Sequence, residues 1–337
     1  MSDKHSIMSI PADVALAYTV RGEAIDCVHY GSVVVVDALG TVLFSLGDSH
    51  RLTFERSITK PAKAVAVIQH PLASYSPSTD HIALMAGSHS GTQAHITVLK
   101  NMLQSLSLSE SELLCGTTLP IGDDAILELI QNKGQLSPLH SDCSGEHIGL
   151  ISLCKSIDLE YTNYTHLDHP VQEIIRNTLT LFSDYDHSIA ETAVDGCNLP
   201  TYQVPLYNMA LMMARLCPPV EEPKELTLVL DAISREPLLY GGGSDRFVTN
   251  LIKTTQGRII AKDGAEGLFV LGWRGKGIGL AIKIADGNHR AANPVVISII
   301  RKLGLLSEED LEIVEAVSCP PLFSHTGLQV GKVISLH

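Results

Sequence analysis

The sequence predicts an α+β protein in which a largely antiparallel sheet packs against a helical cluster. Three observations lead there. A β-branched run, Gly31-Ser32-Val33-Val34-Val35-Val36-Asp37, is followed after Gly40 by Thr41-Val42-Leu43-Phe44, which reads as a hairpin in a buried sheet. Near the other end, residues 258–261, 268–273 and 277–283 are short apolar segments separated by glycine-containing turns, and they read as a meander. Between these two groups the patterning is mainly helical, over residues 57–235.

The helical elements follow in order. Residues 60–69 are rich in Ala, Val and Lys with no interior breaker. Pro61 is tolerated in a first turn, where its missing N–H has no intrahelical partner, so this helix starts within a few residues before it, and Pro71 closes it. Thr79 or Asp80 caps a short helix over 81–86, which ends in the polar turn Gly87-Ser88-His89-Ser90-Gly91. Further helices are predicted over 95–106, over 123–132 with Asp123 as its cap, over 148–157, over 170–182, over 206–216, and over 225–233 ahead of Pro237. Gly241-Gly242-Gly243-Ser244-Asp245 reads as a mobile turn, because its spacing matches no phosphate loop. Asn293-Pro294 opens a helix over 295–303, Ser307 with Asp310 opens another, and 329–336 is a final strand. No repeat or linker interrupts the chain, so residues 1–337 are expected to form one unit, its sheet drawn from both chain ends.

Composition narrows the function classes. The 337 residues are 45% hydrophobic but only 5% aromatic, so small and aliphatic side chains must fill a large core. Thirty-seven acidic against 24 basic side chains give a net charge of −13, which repels nucleic acid and anionic membranes. No apolar run reaches the roughly 18 residues of a transmembrane helix, and the polar residues 1–10 do not read as a secretory signal. Seven scattered cysteines do not describe a disulfide framework, and a reduced, cytoplasmic setting is expected. Cys27, Cys115, Cys154, Cys217 and Cys319 read as buried free thiols.

Several stretches carry candidate chemistry. Arg56-Ser57-Ile58-Thr59-Lys60-Pro61 contains a Ser-x-x-Lys, and residues three apart share a helix face. The Lys60 amine can then take the Ser57 proton, provided its pKa falls from about 10.4 towards roughly 7 or 8. The same residues also describe a capping serine followed by a solvated lysine. Ser88 and His89 lie in a turn that is equally an ordinary helix end. Cys143 and Glu146 share a helix face, with His147 nearby, and an extended backbone puts Asp195 and Cys197 on one side. Two thiolates and two carboxylates could hold a zinc ion tetrahedrally, although buried cysteines and capping acids explain the same residues. Lys262 before Asp263-Gly264 either points into a cleft beside the sheet edge or sits on the surface.

Taken together, Arg56-Ser57-x-x-Lys60-Pro61, Ser88-His89-Ser90-Gly91, Cys143-Ser144-Gly145-x-His147, Asp195-Gly196-Cys197 and Lys262-x-Gly264-Ala265-Glu266-Gly267 resemble, in order and across essentially the whole chain, the L-asparaginase II family of the Rhizobium etli type. The resemblance implies a fold similar to serine β-lactamases, with Lys262-Asp263-Gly264 standing where their Lys-Thr-Gly would. It implies two Ser–Lys pairs: Ser57 as nucleophile with Lys60 as base, and Ser88 with Lys262, relaying protons and keeping Lys60 neutral by charge repulsion. It implies L-asparagine as the small-molecule substrate, Arg56, His89, Asp195 and Gly264 as substrate-binding residues, and a homodimer. It also implies zinc, held by Cys143, Asp195, Cys197 and position 146. There the family's lysine is replaced by Glu146, an ordinary zinc ligand that shifts the local charge by two units. Two other functions remain open: an amidase for glutamine, another small amide or a β-lactam, and a zinc-holding binding protein without turnover.

Overall fold

The computed structural model describes residues 10–318 and 321–337, without the side chains of residues 317 and 318. Residues 1–9 and Cys319 lie outside the described residues. Strand β1 (Val14–Arg21) turns through Gly22, at φ +59°, into the long β2 (Ala24–Asp37) and then β3 (Val42–Leu46). Then come β4 (Leu52–Phe54), a 3-10 turn (Arg56–Thr59) and helices α1 (Lys60–Gln69), α2 (Thr79–Ala86), α3 (Gln93–Leu106), α4 (Asp123–Gln131), α5 (Ser144–Ser156) and α6 (Pro170–Ser183). Strands β5 (Glu191–Val194) and β6 (Pro200–Pro205) lead to α7 (Leu206–Leu216), α8 (Lys224–Arg235), α9 (Pro237–Gly241) and α10 (Phe247–Thr254). The chain finishes with β7 (Ile259–Gly264), β8 (Leu268–Trp273), β9 (Ile278–Ile284), α11 (His289–Lys302), α12 (Glu308–Ser318), β10 (Leu322–Phe323) and β11 (Gln329–Ser335).

The large sheet runs β10-β11-β1-β2-β9-β8-β7, antiparallel at every pairing, with β3 on the second half of β2. The chain thus has the α+β architecture the sequence predicts. A small sheet, β4-β6-β5, lies apart. Successive strand residues face opposite sides. The complete burial of Val33, Val34, Val35 and Val36 therefore means that both faces of β2 are covered. Helix α7 lies across β2, β8 and β9, and α11 touches β1, β9 and β11. The α7 approach depends on two glycines paired across β8 and β9, Gly272 and Gly279. A methyl group at Gly279 would stand 1.9 Å from the Ala210 carbonyl oxygen.

Within the helical cluster, α1 is surrounded by α2, α5, α6 and α8. It is buried from Lys60 to Val67 without interruption, and α5 from Ser144 to Cys154. A helix buried on every side must bring its polar side chains inside as well, and these two helices supply most of the polar cluster described below.

Several boundaries differ from expectation. Ser78, not Thr79 or Asp80, caps α2, accepting from the His81 N–H at 3.4 Å. Asp123 is the first residue of α4, with Gly122 at the cap. Helix α5 starts at Ser144, which places Glu146 and His147 in its first turns. Pro237 opens α9 rather than only ending α8, and α10 follows the glycine run that masked it. Helix α11 starts at His289 with Asn288 as cap, so Pro294 stands inside it and removes the N–H that would bond the Arg290 carbonyl.

The backbone approach at Gly279 yields a test. Gly279→Ala should lower stability by about 1–3 kcal/mol through overpacking between α7 and the sheet, read as the urea midpoint; an unchanged midpoint would show that α7 yields without cost.

Candidate active site

The site starts where β4 ends. Arg56 takes a left-handed φ of 49°, and its N–H donates to Thr201 Oγ1 at 3.0 Å. That reversal throws the chain into the 3-10 turn carrying Ser57, with Pro61 following in the first turn of α1. Ser57 lines a cavity of about 510 Å³ together with Ser88, Asp142, Asp263 and Gly264. Ser88 comes from the end of α2, where its N–H donates to the Tyr240 carbonyl at 3.0 Å. Gly87 permits that contact, since a Cβ there would lie 2.3 Å from the same oxygen.

The Lys60 ammonium, 1% exposed, is bonded to Ser88, and among the described residues no hydrogen bond joins it to Ser57. Its Nζ donates to Ser88 Oγ at 2.9 Å, Cys143 Sγ at 3.1 Å and the Asp142 carbonyl at 3.4 Å, and lies 3.7 Å from Glu146 Oε2. The expected Ser57–Lys60 pair is thereby replaced by a Ser88–Lys60 pair, because the anionic groups at the start of α5 draw the ammonium across. The surroundings of Lys60 favour its charged form over the expected neutral amine. Burial works against the charge, but Cys143, Asp142 and Glu146 outweigh it and hold Lys60 well above the usual lysine value.

Lys262 on β7 is equally buried. Its Nζ donates to the Asp263 carbonyl at 2.6 Å and to Asp263 Oδ1 at 2.8 Å, so the expected Ser88–Lys262 pair is replaced by a Lys262–Asp263 pair. Burial, helped by the Lys60 charge and opposed by Asp263, lowers Lys262 below its usual 10.5. Arg246 Nη2 binds the other Asp263 oxygen at 2.5 Å. Despite burial, the Asp263 carboxyl is held far below the usual range by Lys262 and Arg246.

Cys143 Sγ, Cys197 Sγ and a Glu146 oxygen lie within 4.8 Å of one another. Two sulfurs and a carboxylate oxygen at that spread suit one zinc ion with Zn–S bonds of about 2.3 Å, so these three residues fit the metal the resemblance implies. Asp195 does not join them. Its Oδ1 accepts from Arg56 Nε at 2.7 Å and pairs with Arg56 Nη2 at 2.6 Å. His147 stands beside Cys197, its Nδ1 2.6 Å from the Tyr164 hydroxyl. His89 is also reassigned: it is fully buried, Nε2 meets Ser144 Oγ at 2.9 Å, and Nδ1 accepts the Gly91 N–H at 3.1 Å, so neither ring nitrogen is left for a substrate.

Sequence reasoning missed Lys63. Its Nζ lies 2.8 Å from Glu146 Oε1, with 10% of the side chain exposed against 3% for Glu146. Burial opposes both charges, yet each partner holds the other ionised: Lys63 is raised and Glu146 lowered. The signal was present in the spacing, since Lys63 follows Lys60 by three residues on a helix with no exposed face in its first turns. Arg246 was missed because it follows the glycine run.

Two serine hydroxyls thus line one cavity, with the buried Lys60 behind Ser88 and the buried Lys262 behind Asp263. The chain belongs to the L-asparaginase II family, which it matches over residues 17–335, and at that level it is an amidohydrolase. Comparison with curated proteins gave no match. Among solved structures it is similar to a β-lactamase from Mycobacterium bovis, at 13% identity and TM-score 0.43 over 81% of this chain and 94% of that one. It is also similar to a β-lactamase assigned in Bacteroides dorei, at 12% identity and TM-score 0.42 over 80% and 93%.

The buried Lys63–Glu146 pair gives a stability prediction. Lys63→Met removes the nearer of the two ammonium groups facing buried Glu146, leaving Lys60 at 3.7 Å, and should cost about 3 kcal/mol in chemical denaturation. Lys63→Met combined with Glu146→Gln should recover most of that loss; equal losses in the single and double variants would refute the pairing.

Proposed function

We propose that this protein is an L-asparagine amidohydrolase that works through an acyl-enzyme on Ser57. The observation that carries this reading is the placement of Ser57 and Ser88 on one cavity wall, with buried Lys60 bonded to Ser88, in a chain of this family. Ser57 opens onto the cavity at the start of α1, where the positive end of the helix favours a developing negative charge. Its Oγ attacks the side-chain amide carbon while its proton passes to a neutral amine. Lys262 is the better acceptor, since burial lowers it, whereas Lys60 sits among anions. The Lys60 ammonium, through Ser88, is placed to hand a proton to the departing nitrogen, so that the C–N bond breaks and ammonia leaves. Water then cleaves the Ser57 ester, giving aspartate and restoring the hydroxyl, while Lys262 gives up the proton it gained and Lys60 recovers the one it lost, so both amines regain their starting states. Gly264 keeps the β7 backbone at the cavity wall beside Ile58, with a built Cβ 3.0 Å from its Cγ2.

Zinc is part of the proposal, held by Cys143, Glu146 and Cys197. When bound it would supply a fixed positive charge that orients substrate. A homodimer and a cytoplasmic setting belong to it as well. No helix among the described residues is long and apolar enough to cross a membrane.

Ammonia release from L-asparagine and from glutamine, and the colour change of a chromogenic β-lactam on ring opening, separate the candidate substrates. Turnover of asparagine first, abolished in Ser57→Ala with the fold intact, is the expected result; full activity in Ser57→Ala would defeat the nucleophile assignment. With Lys262 as base, kcat/KM should rise with pH along a limb whose apparent pKa lies below the usual lysine 10.5. Lys262→Met should flatten that limb. Metal analysis of purified protein should find zinc that Cys143→Ser loses, and an equal zinc content in both would remove Cys143 from the ligand set.

A further inference from the structure

An α-amino acid amide brings a carboxylate and an ammonium besides its amide group, and both need places on the cavity wall. The residues expected to provide them are engaged elsewhere. Arg56 spends Nε and Nη2 on Asp195, and both His89 nitrogens are taken. Among the residues lining the cavity beside Ser57 and Ser88, Arg246 is the sole lysine or arginine, while Asp142, Asp245 and Asp263 are acidic.

Arg246 is built to receive an anion. Asp263 anchors one of its terminal nitrogens, and among the described residues that is its only side-chain hydrogen bond. A guanidinium presents its donors in a rigid fork that matches a carboxylate in two parallel bonds. Fixing one arm of the fork on Asp263 orients the rest without occupying it. The neighbouring Asp245 is exposed and makes no side-chain hydrogen bond among the described residues, whereas Asp142 already faces Lys60 at 3.9 Å.

We propose that Arg246 is the binding site for the substrate α-carboxylate, with Asp245 beside it receiving the α-ammonium. The ligand class is a zwitterionic α-amino acid whose side-chain amide reaches towards Ser57.

This inference rests on the amide-hydrolase reading, and its test keeps the two apart. L-asparagine is compared with 3-aminopropanamide, which keeps the amide and the ammonium but lacks the α-carboxylate. Wild type, Arg246→Gln and Arg56→Gln are assayed with both. Arg246→Gln should raise KM for asparagine about 10- to 100-fold, the loss of a charge-assisted bond. On 3-aminopropanamide it should change kcat/KM far less, and Arg246→Lys should restore part of the asparagine affinity. Any effect transmitted through Asp263 falls on both substrates and cancels in their ratio. Equal losses on the two substrates, or a selective asparagine loss in Arg56→Gln instead, would overturn the assignment. If wild type releases no ammonia from asparagine, the function reading fails by itself. Calorimetric binding of the same two compounds to wild type and Arg246→Gln then decides the subsite: a carboxylate-dependent affinity lost with Arg246 upholds it, and no such difference overturns it.

Discussion

The buried ammonium groups are the constraint on which this structure depends. Lys60, Lys63 and Lys262 are each buried, and a charge taken out of water is tolerable only with partners in hydrogen-bond range. Lys60 and Lys63 lie on α1, but their anions come from the start of α5, more than eighty residues later. Lys262 finds its carboxylate next door on β7, and that carboxylate is shared with Arg246 from the far side of the glycine run. Helix α1 can be buried only if α5 docks against it, and β7 carries a charge only if the start of α10 is in place. The polar cluster is thus assembled by the same docking events that build the core, which ties the site's geometry to the fold.

The two deepest lysines differ in their company, and in the proposed reaction that difference divides their labour. Lys60 is ringed by Cys143, Asp142 and Glu146 and is held cationic; Lys262 faces one carboxylate and feels Lys60 as a neighbouring like charge. Environments that push two titratable groups apart are what acid–base catalysis at one pH requires. Ser88 lies hydrogen-bonded to the lysine that stays charged, which leaves Ser57 facing the cavity. The pairing by helical spacing between Ser57 and Lys60 fails for a plain reason. The acceptors at the start of α5 decide where a flexible four-carbon chain sends its charge.

Patterns that depend on neighbours in sequence were legible. The valine run of β2, the meander of β7 to β9, helix α7 to the residue and the start of α1 near Ser57 all follow from periodicity, β-branching and one proline. The gathering of Cys143, Glu146 and Cys197 was legible from spacing on α5 and the motif around Asp195. What could not be read is partner choice. Asp195 and Cys197 share one side of an extended segment, yet a guanidinium from residue 56 takes the carboxylate and leaves the thiol. Strand β1 was also invisible, because its pairing with β11 joins residues more than three hundred positions apart. Helix α10 was hidden by the glycines before it.

The departure at position 146 is best understood together with Lys63. Taken alone, an acid where the family has a lysine shifts the local charge by two units. Beside it stands Lys63, bonded to Glu146 at 2.8 Å and buried with it. A carboxylate and an ammonium sum to zero, the same charge as the neutral amine a metal-binding lysine would present. The amine of this chain stands on the facing turn of α1, and the carboxylate beside it is an ordinary zinc ligand. Meanwhile Arg56 keeps Asp195 out of the cluster, so the donors number three. Three protein donors and an open position are the arrangement that lets a bound metal meet a substrate, whereas four would close the site into a structural one. Charge balance and donor count thus agree within the proposed reading: Glu146 and Lys63 form a neutral pair beside the two thiols, and the three donors would leave a fourth position open to substrate.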